Sequence, residues 1–278
     1  MKKTLKVIFL LSFSLFSAQN YRFVYEYKMK PDVAKKDSII TDYMNLDSDG
    51  RKSYFYNSVK YERDSAYNVD KNFPALLTSK RYDRNLNYIL EKDHSGKTMN
   101  LYDKFKGINL VIADQEMPMW KVQKEFMKID GMNCQRAITD YKGRKWEAWF
   151  SKDYPISDGP YKFSGLPGLV VKINDTENNH AFHLIQVKKM KSIFALLPKN
   201  NKKTSNADYK KFLSGYTFTP DDIESINMDS KAGTMGIQLK DGYITQLDLN
   251  DLKKSGKGNT DAEMARRLMK TNNPIEIN

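Results

Sequence analysis

Three histidines, His94, His180 and His183, are the groups with which proton transfer near neutral pH or metal ligation would begin. His180 and His183 stand three apart in "HAFHLIQV", a spacing that puts both rings on one side of a helix. That stretch reads as a strand, in which the same spacing sends the rings to opposite faces, so no zinc site is expected there. His94 lies in "HSGK", an apparent hairpin tip, and nothing in the spacing supports a Ser-His-acid triad. There is no GxSxG, no HExxH, no glycine-rich phosphate loop and no cysteine pair. The single cysteine, Cys134, excludes an intramolecular disulfide and reads as a small buried hydrophobe. Met117 and Met119 in "EMPMW" carry soft sulfur but are expected to fill gaps in a core. The carboxylates are scattered, with no pair that spacing brings together. No catalytic residue, metal or cofactor is therefore expected.

Binding is the better-supported chemistry. In "GRKWEAWF", Trp146, Ala148 and Phe150 share one face if the stretch is a strand. Arg144, Trp146 and Trp149 could line a groove, with stacking or cation–π contacts to a ligand. The plainer alternative is one core tryptophan and one half-exposed cross-strand aromatic. The second candidate is "GLPGLV", Gly165 to Val170. Leu166–Leu169 fits a type II turn, Pro167 fixing φ and Gly168 supplying a positive φ. Gly165 permits a close backbone approach just before it. Leu166 and Leu169 are then either a buried corner of a sheet or an exposed apolar lip that docks a ligand or partner.

The elements that must position these residues are mostly strands. In "YRFVYEYKM", Tyr21, Phe23, Tyr25 and Tyr27 fall on one face and charged residues on the other. Turn signals recur at "DSDGR", "HSGK", "YKGR" and "KDGY". Thr78 to Asp114 and Lys121 to Phe150 read as successive antiparallel strands. The expected fold is mainly β, a curved antiparallel sheet of half-barrel or sandwich-like form, with a few C-terminal helices. Those helices start at Asn206, which can cap "ADYKKFL" before Gly215, at Thr219-Pro220, and at a Thr260/Glu263 capping box. Residues 199–206 form the expected flexible connector inside a single domain spanning 19–278.

Residues 1–18 read as a secretory signal: Lys2, Lys3 and Lys6, then the apolar run Val7 to Phe16, then Ser17-Ala18. The run is too short to span a bilayer, and Gln19 stands where a lipid anchor would need cysteine. The protein is accordingly expected in the periplasm, with no transmembrane segment after cleavage. Strands charged on both faces argue against an outer-membrane barrel. The net charge is 46 − 34 = +12. Export and the thin spread of that charge argue against nucleic acid. The denser run Lys188 to Lys203 reads as a solvated loop or a contact for an acidic partner.

Five ordered blocks carry a family resemblance: "WKV" at Trp120, "GMNCQRA" at Gly131, "GRKWEAWF" at Gly143, "YPISDGPYKFSGLPGLVVKI" from Tyr154, and "NNPIEI" near the end. Together they resemble the GLPGLI family of exported Bacteroidota proteins, with GLPGLV here in place of the family's motif. The resemblance implies one β-rich envelope domain and carries over no catalytic residues. The expected function is non-enzymatic binding of an apolar ligand or an outer-membrane partner. A hydrolase acting on envelope material and an accessory to a TonB-type transporter are the alternatives.

Overall fold

The computed structural model describes residues 19–62 apart from 33, 35 and 36, residue 65, and residues 87–194, 197–216, 218–249 and 273–277. The signal segment 1–18 and the Thr260/Glu263 capping box lie outside them, as do residues 78–86.

Strand β1 (Asn20–Met29) alternates as its sequence does, burying Phe23, Tyr25, Tyr27 and Met29. It lies in the middle of a twelve-stranded sheet. On one side follow β2 (Ile40–Ser48), β3 (Lys52–Asn57), β4 (Ile89–Asp93), β5 (Thr98–Phe105) and β6 (Ile108–Asp114), each antiparallel to the last. The chain then makes a second meander of β7 (Lys121–Ile129), β8 (Met132–Tyr141), β9 (Arg144–Ser151), β10 (Leu169–Asp175) and β11 (His180–Met190). The two meanders join where β11 pairs with β1, Met29 opposite His180.

This order forces the sheet to curl. Strands β6 and β7 stand 12 − 2 = 10 positions apart in the sheet. Ten spacings of a flat sheet would cover about 48 Å. Only 121 − 114 = 7 residue steps join Asp114 to Lys121, a reach of at most about 25 Å. The far ends of the sheet must therefore approach each other, and hydrogen bonds hold them there. Tyr141 Oη donates to Glu116 O at 2.8 Å, and Thr139 Oγ1 to Met119 O at 2.8 Å. Lys142, in the β8–β9 turn, reaches Glu116 at 2.5 Å and Asp114 at 3.3 Å. The result is an open, curved antiparallel sheet, the half-barrel of the two forms that the successive strands lead us to expect.

A long irregular segment, residues 154–168, fills the inside of the curl. Ten of its residues between Ile156 and Gly168 are buried although it forms no helix or strand. Phe163 packs inside rings of Trp146, Tyr161 and Phe182, with centroids 4.5, 5.7 and 6.5 Å away. Tyr25 Oη donates to Val170 O at 2.7 Å where the segment enters β10. Leu166 (1% exposed) and Leu169 (0%) belong to this core, so the leucines of the apolar turn are buried in the plug while Gly165 and Pro167 stay exposed. Replacing either leucine by alanine is expected to cost about 2–5 kcal/mol of stability. A denaturant midpoint close to wild type in both variants would contradict that assignment.

Among the described residues from 206 to 249 the chain is less helical than its sequence suggests. The helix α1 (Asn206–Ser214) is capped by Ser205, not Asn206: Ser205 Oγ accepts from Asp208 N at 3.0 Å. Thr219 does form a capping box, but with a single 3-10 turn, Pro220–Asp222. Strand β13 (Ile223–Asp229) follows at once, its Ile, Ser and Asn content disfavouring a helix. It joins β14 (Thr234–Leu239) and β15 (Ile244–Asp248) in a small antiparallel sheet with its own cluster of Met235, Ile237, Leu239 and Tyr243. Within the expected connector 199–206, β12 (Lys202–Thr204) pairs in parallel with β6. Among the described residues no helix is long and apolar enough to cross a membrane.

Candidate functional site: a cavity at one end of the half-barrel

The plug is fixed by a buried ion pair. Period two places Lys92 on the same inward face as Leu90, and Lys92 is 1% exposed. Its Nζ donates to Asp158 Oδ1 at 2.5 Å, Gly159 O at 2.7 Å and Tyr161 O at 3.0 Å. Burial alone would raise the Asp158 carboxyl, but Lys92 and His94 hold it well below the usual carboxylate range. Ser53, His94 and Asp158 thus meet in space. Ser53 Oγ and Asp158 Oδ2 lie 3.3 and 3.0 Å from the same His94 nitrogen, Nε2. A nucleophilic relay needs serine on one ring nitrogen and acid on the other. The constellation is an anchor and not a triad.

Beyond this anchor the chain turns sharply. Tyr161 adopts φ 50°, an uncommon conformation for a bulky residue and one that collects at functional sites. Tyr161 Oη hydrogen-bonds Glu276 Oε1. Lys162 Nζ donates to Asp114 Oδ2 at 2.7 Å and Glu276 Oε1 at 2.5 Å. Burial pushes the Asp114 carboxyl up, but Lys162, the Glu116 amide and Lys142 bring it below its ordinary value. The C-terminal strap 273–277 is held at further points. Arg144 donates to Asp175 Oδ2 (2.9 Å), Asn273 Oδ1 (2.6 Å) and Pro274 O (2.8 Å). Asn273 Nδ2 donates to Lys30 O at 2.7 Å, and Ile277 N to Lys142 O at 3.0 Å.

Between this strap, α1, the plug and the end of the sheet lies a cavity of about 630 Å³. Met29, Leu101, Ile112, Leu213 and Ile275 give it apolar walls, and Lys162, Glu276, His180 and Tyr209 a polar part. His180 is 1% exposed, and its Nδ1 lies 2.7 Å from Tyr27 Oη. Burial and the Arg144 guanidinium push its pKa down to about 3, against the Pro274 and Asn273 carbonyls. Such a group is neutral when folded and takes up a proton near pH 6.5 when unfolded. Its contribution is complete above about pH 6.5 and lost as pH falls toward about 3. Stability is expected to drop by about 2–3 kcal/mol from pH 6.5 to 4.5. His180→Gln should flatten that slope in urea melts; an unchanged slope would remove His180 as its source.

The residues singled out in the sequence divide differently. Trp146 is 1% exposed and faces the core, whereas Trp149 lies half-buried on the opposite face beside Glu147. Strand alternation separates them, so they do not line one groove, and Arg144 is a clamp on the strap. Leu166 and Leu169 are not a docking lip. Gly165, Pro167 and Gly168 do shape a turn, but not of type II: Gly168 N donates to Leu166 O at 2.8 Å, closing a tighter turn about Pro167. Gly168 has φ 159°, nearly extended. Glycine is needed there because a Cβ would lie 2.3 Å from Ser151 O on β9. Gly165 holds the positive φ, 94°. Cys134 is buried as expected, and burial pushes its thiol up to about 11. His180 and His183 do face opposite sides, His183 meeting Asp130 at 2.6 Å. Among the described residues no cluster of three metal-ligating side chains occurs.

Sequence reasoning passed over Lys92, Asp158, Asp114, Lys162 and Glu276. One signal was available: a lysine at an inward position of an alternating strand needs a buried partner.

Residues 93–172 match a family model described as a protein of unknown function (Porph_ging). The match takes in the plug and the blocks from Trp120 to Lys172. A search of curated proteins gave no match. Among solved structures the chain resembles PNGF-II in its P21 and C2 crystal forms, with TM-scores of 0.53 and 0.52 and 15% identity in both. Each superposition covers 80% of this chain and 40% of the other, so this chain spans well under half of those structures. At that identity the likeness is one of fold.

Proposed function

We propose that this is an exported, non-enzymatic envelope protein of the GLPGLI type that binds a largely apolar small molecule in the cavity at the end of its half-barrel. The observation that carries the reading is the cavity itself, about 630 Å³. That is the size of a drug-sized ligand site, and the mixture of apolar walls with a few convergent polar groups is typical of one. The ionisable groups beside it support binding over turnover. Lys162, Asp114, Glu276 and Tyr161 use their hydrogen bonds on one another. Export is supported by the basic, apolar and small-residue order of residues 1–18.

The test uses the mature chain and the neutral apolar dye N-phenyl-1-naphthylamine. A saturable one-site rise in fluorescence is expected. Leu213→Trp, which fills the cavity from α1, should weaken binding at least tenfold while leaving the melting temperature near wild type. Absence of saturable binding, or undiminished binding in a folded Leu213→Trp variant, would overturn the proposal.

A further inference from the structure

We infer that the ligand is a single-chain anionic amphiphile, its tail in the cavity and its carboxylate or phosphate head at the mouth beside Lys210 and Lys211. The inference rests on the cavity reading above and adds a ligand class to it.

The cavity is asymmetric. Its inner lining is buried or half-buried and its charges there are matched: Lys162 faces Asp114 and Glu276, and Lys142 also pairs with Asp114. An ionic headgroup placed there would have to displace partners already in contact, and desolvation would oppose it. Tail atoms, in contrast, would meet Met29, Leu101, Ile112, Leu213 and Ile275. The exposed lining residues, at the mouth, are Ala207, Lys210, Lys211, Ser214, Pro274 and Ile277. Their only charges are the two ammonium groups, and among the described residues neither lysine makes an ion pair. Two adjacent cations that form no ion pair among the described residues, the one carboxylate of their helix, Asp208, being bonded to Ser205, stand at the opening of an apolar space and complement an anion attached to a hydrocarbon chain. The volume accommodates one slender chain and is small for a two-chain lipid.

The experiment displaces N-phenyl-1-naphthylamine with four amphiphiles of equal chain length: decanoate, decyl phosphate, decanol and decyltrimethylammonium. One or both anions should compete about tenfold better than decanol, the scale of two exposed ion pairs, and better still than the cation. The stronger anion identifies the head as carboxylate or phosphate. The advantage should shrink as salt is raised. The double variant Lys210→Gln/Lys211→Gln should bind decanol and the dye as wild type does and bind both anions no better than decanol. These exposed helix positions tolerate glutamine at little cost to folding. Equal competition by decanol and both anions in the wild type would overturn the headgroup inference and leave the cavity reading intact. An anion preference that survives in the double variant would also overturn it. Failure of the dye itself to bind would sink the cavity reading, and this inference with it.

Discussion

Asp158→Asn is expected to destabilise the protein by about 3–5 kcal/mol, the range for removing one partner from a buried ion pair. Asp158 is 0% exposed and Lys92 1%, so the ammonium left behind could not reach water without opening the plug. The same carboxylate accepts from Gly159 N at 2.7 Å, so the bend of the segment is disturbed as well. Lys92→Met should cost a similar amount by stranding the carboxylate. The double variant Lys92→Met/Asp158→Asn should recover part of the loss, because no bare charge is then buried. Urea unfolding of the three variants forms the cycle. If the single changes cost no more than about 1 kcal/mol, as exposed pairs do, the plug is not anchored in this way.

Gly168→Ala is expected to be nearly as damaging as Gly168→Val, each costing about 3 kcal/mol or more. The reason is where the first side-chain carbon would sit, 2.3 Å from Ser151 O and 2.8 Å from Ser151 C. Both are backbone atoms at the end of β9, where Leu169 pairs with Ser151, so neither can step aside without breaking the ladder. Gly165→Ala provides the contrast. Its Cβ would meet only Trp120 Cδ1, at 3.9 Å, so its cost is that of a left-handed backbone, about 1–2 kcal/mol. Thermal melts that rank Gly165→Ala as the worse of the two alanine variants would refute the close-approach account.

Much of the architecture was legible because strand signals are local. Alternation in "YRFVYEYKM" identifies the buried face of β1, and "DSDGR", "HSGK" and "YKGR" join strands that do become neighbours. The same local rule separates His180 from His183. It separates Trp146 from Trp149 too, as one core tryptophan and one half-exposed cross-strand aromatic, the plainer of the two readings. The helix expected after Thr219 failed because a cap signals where a helix can begin and not whether the next residues will sustain it.

The candidate site was not legible, and the reason is distance along the chain. Tyr27 meets His180 across 153 positions, Lys162 meets Glu276 across 114, and Arg144 meets Asn273 across 129. None of these pairs leaves a periodicity or spacing behind. They follow from β1 pairing with β11, which sets the two meanders side by side, and from a seven-step link that draws the far ends of the sheet together. Local composition determined the strands and their inward faces, and left the leucines of the apolar turn either buried or exposed. Only the tertiary structure decided that the sheet curls round that turn, that Lys92 and Asp158 neutralise each other inside it, and that the curl leaves a cavity at one end. Curvature depends on which strands pair, and pairing is settled by burial of surface across the whole chain.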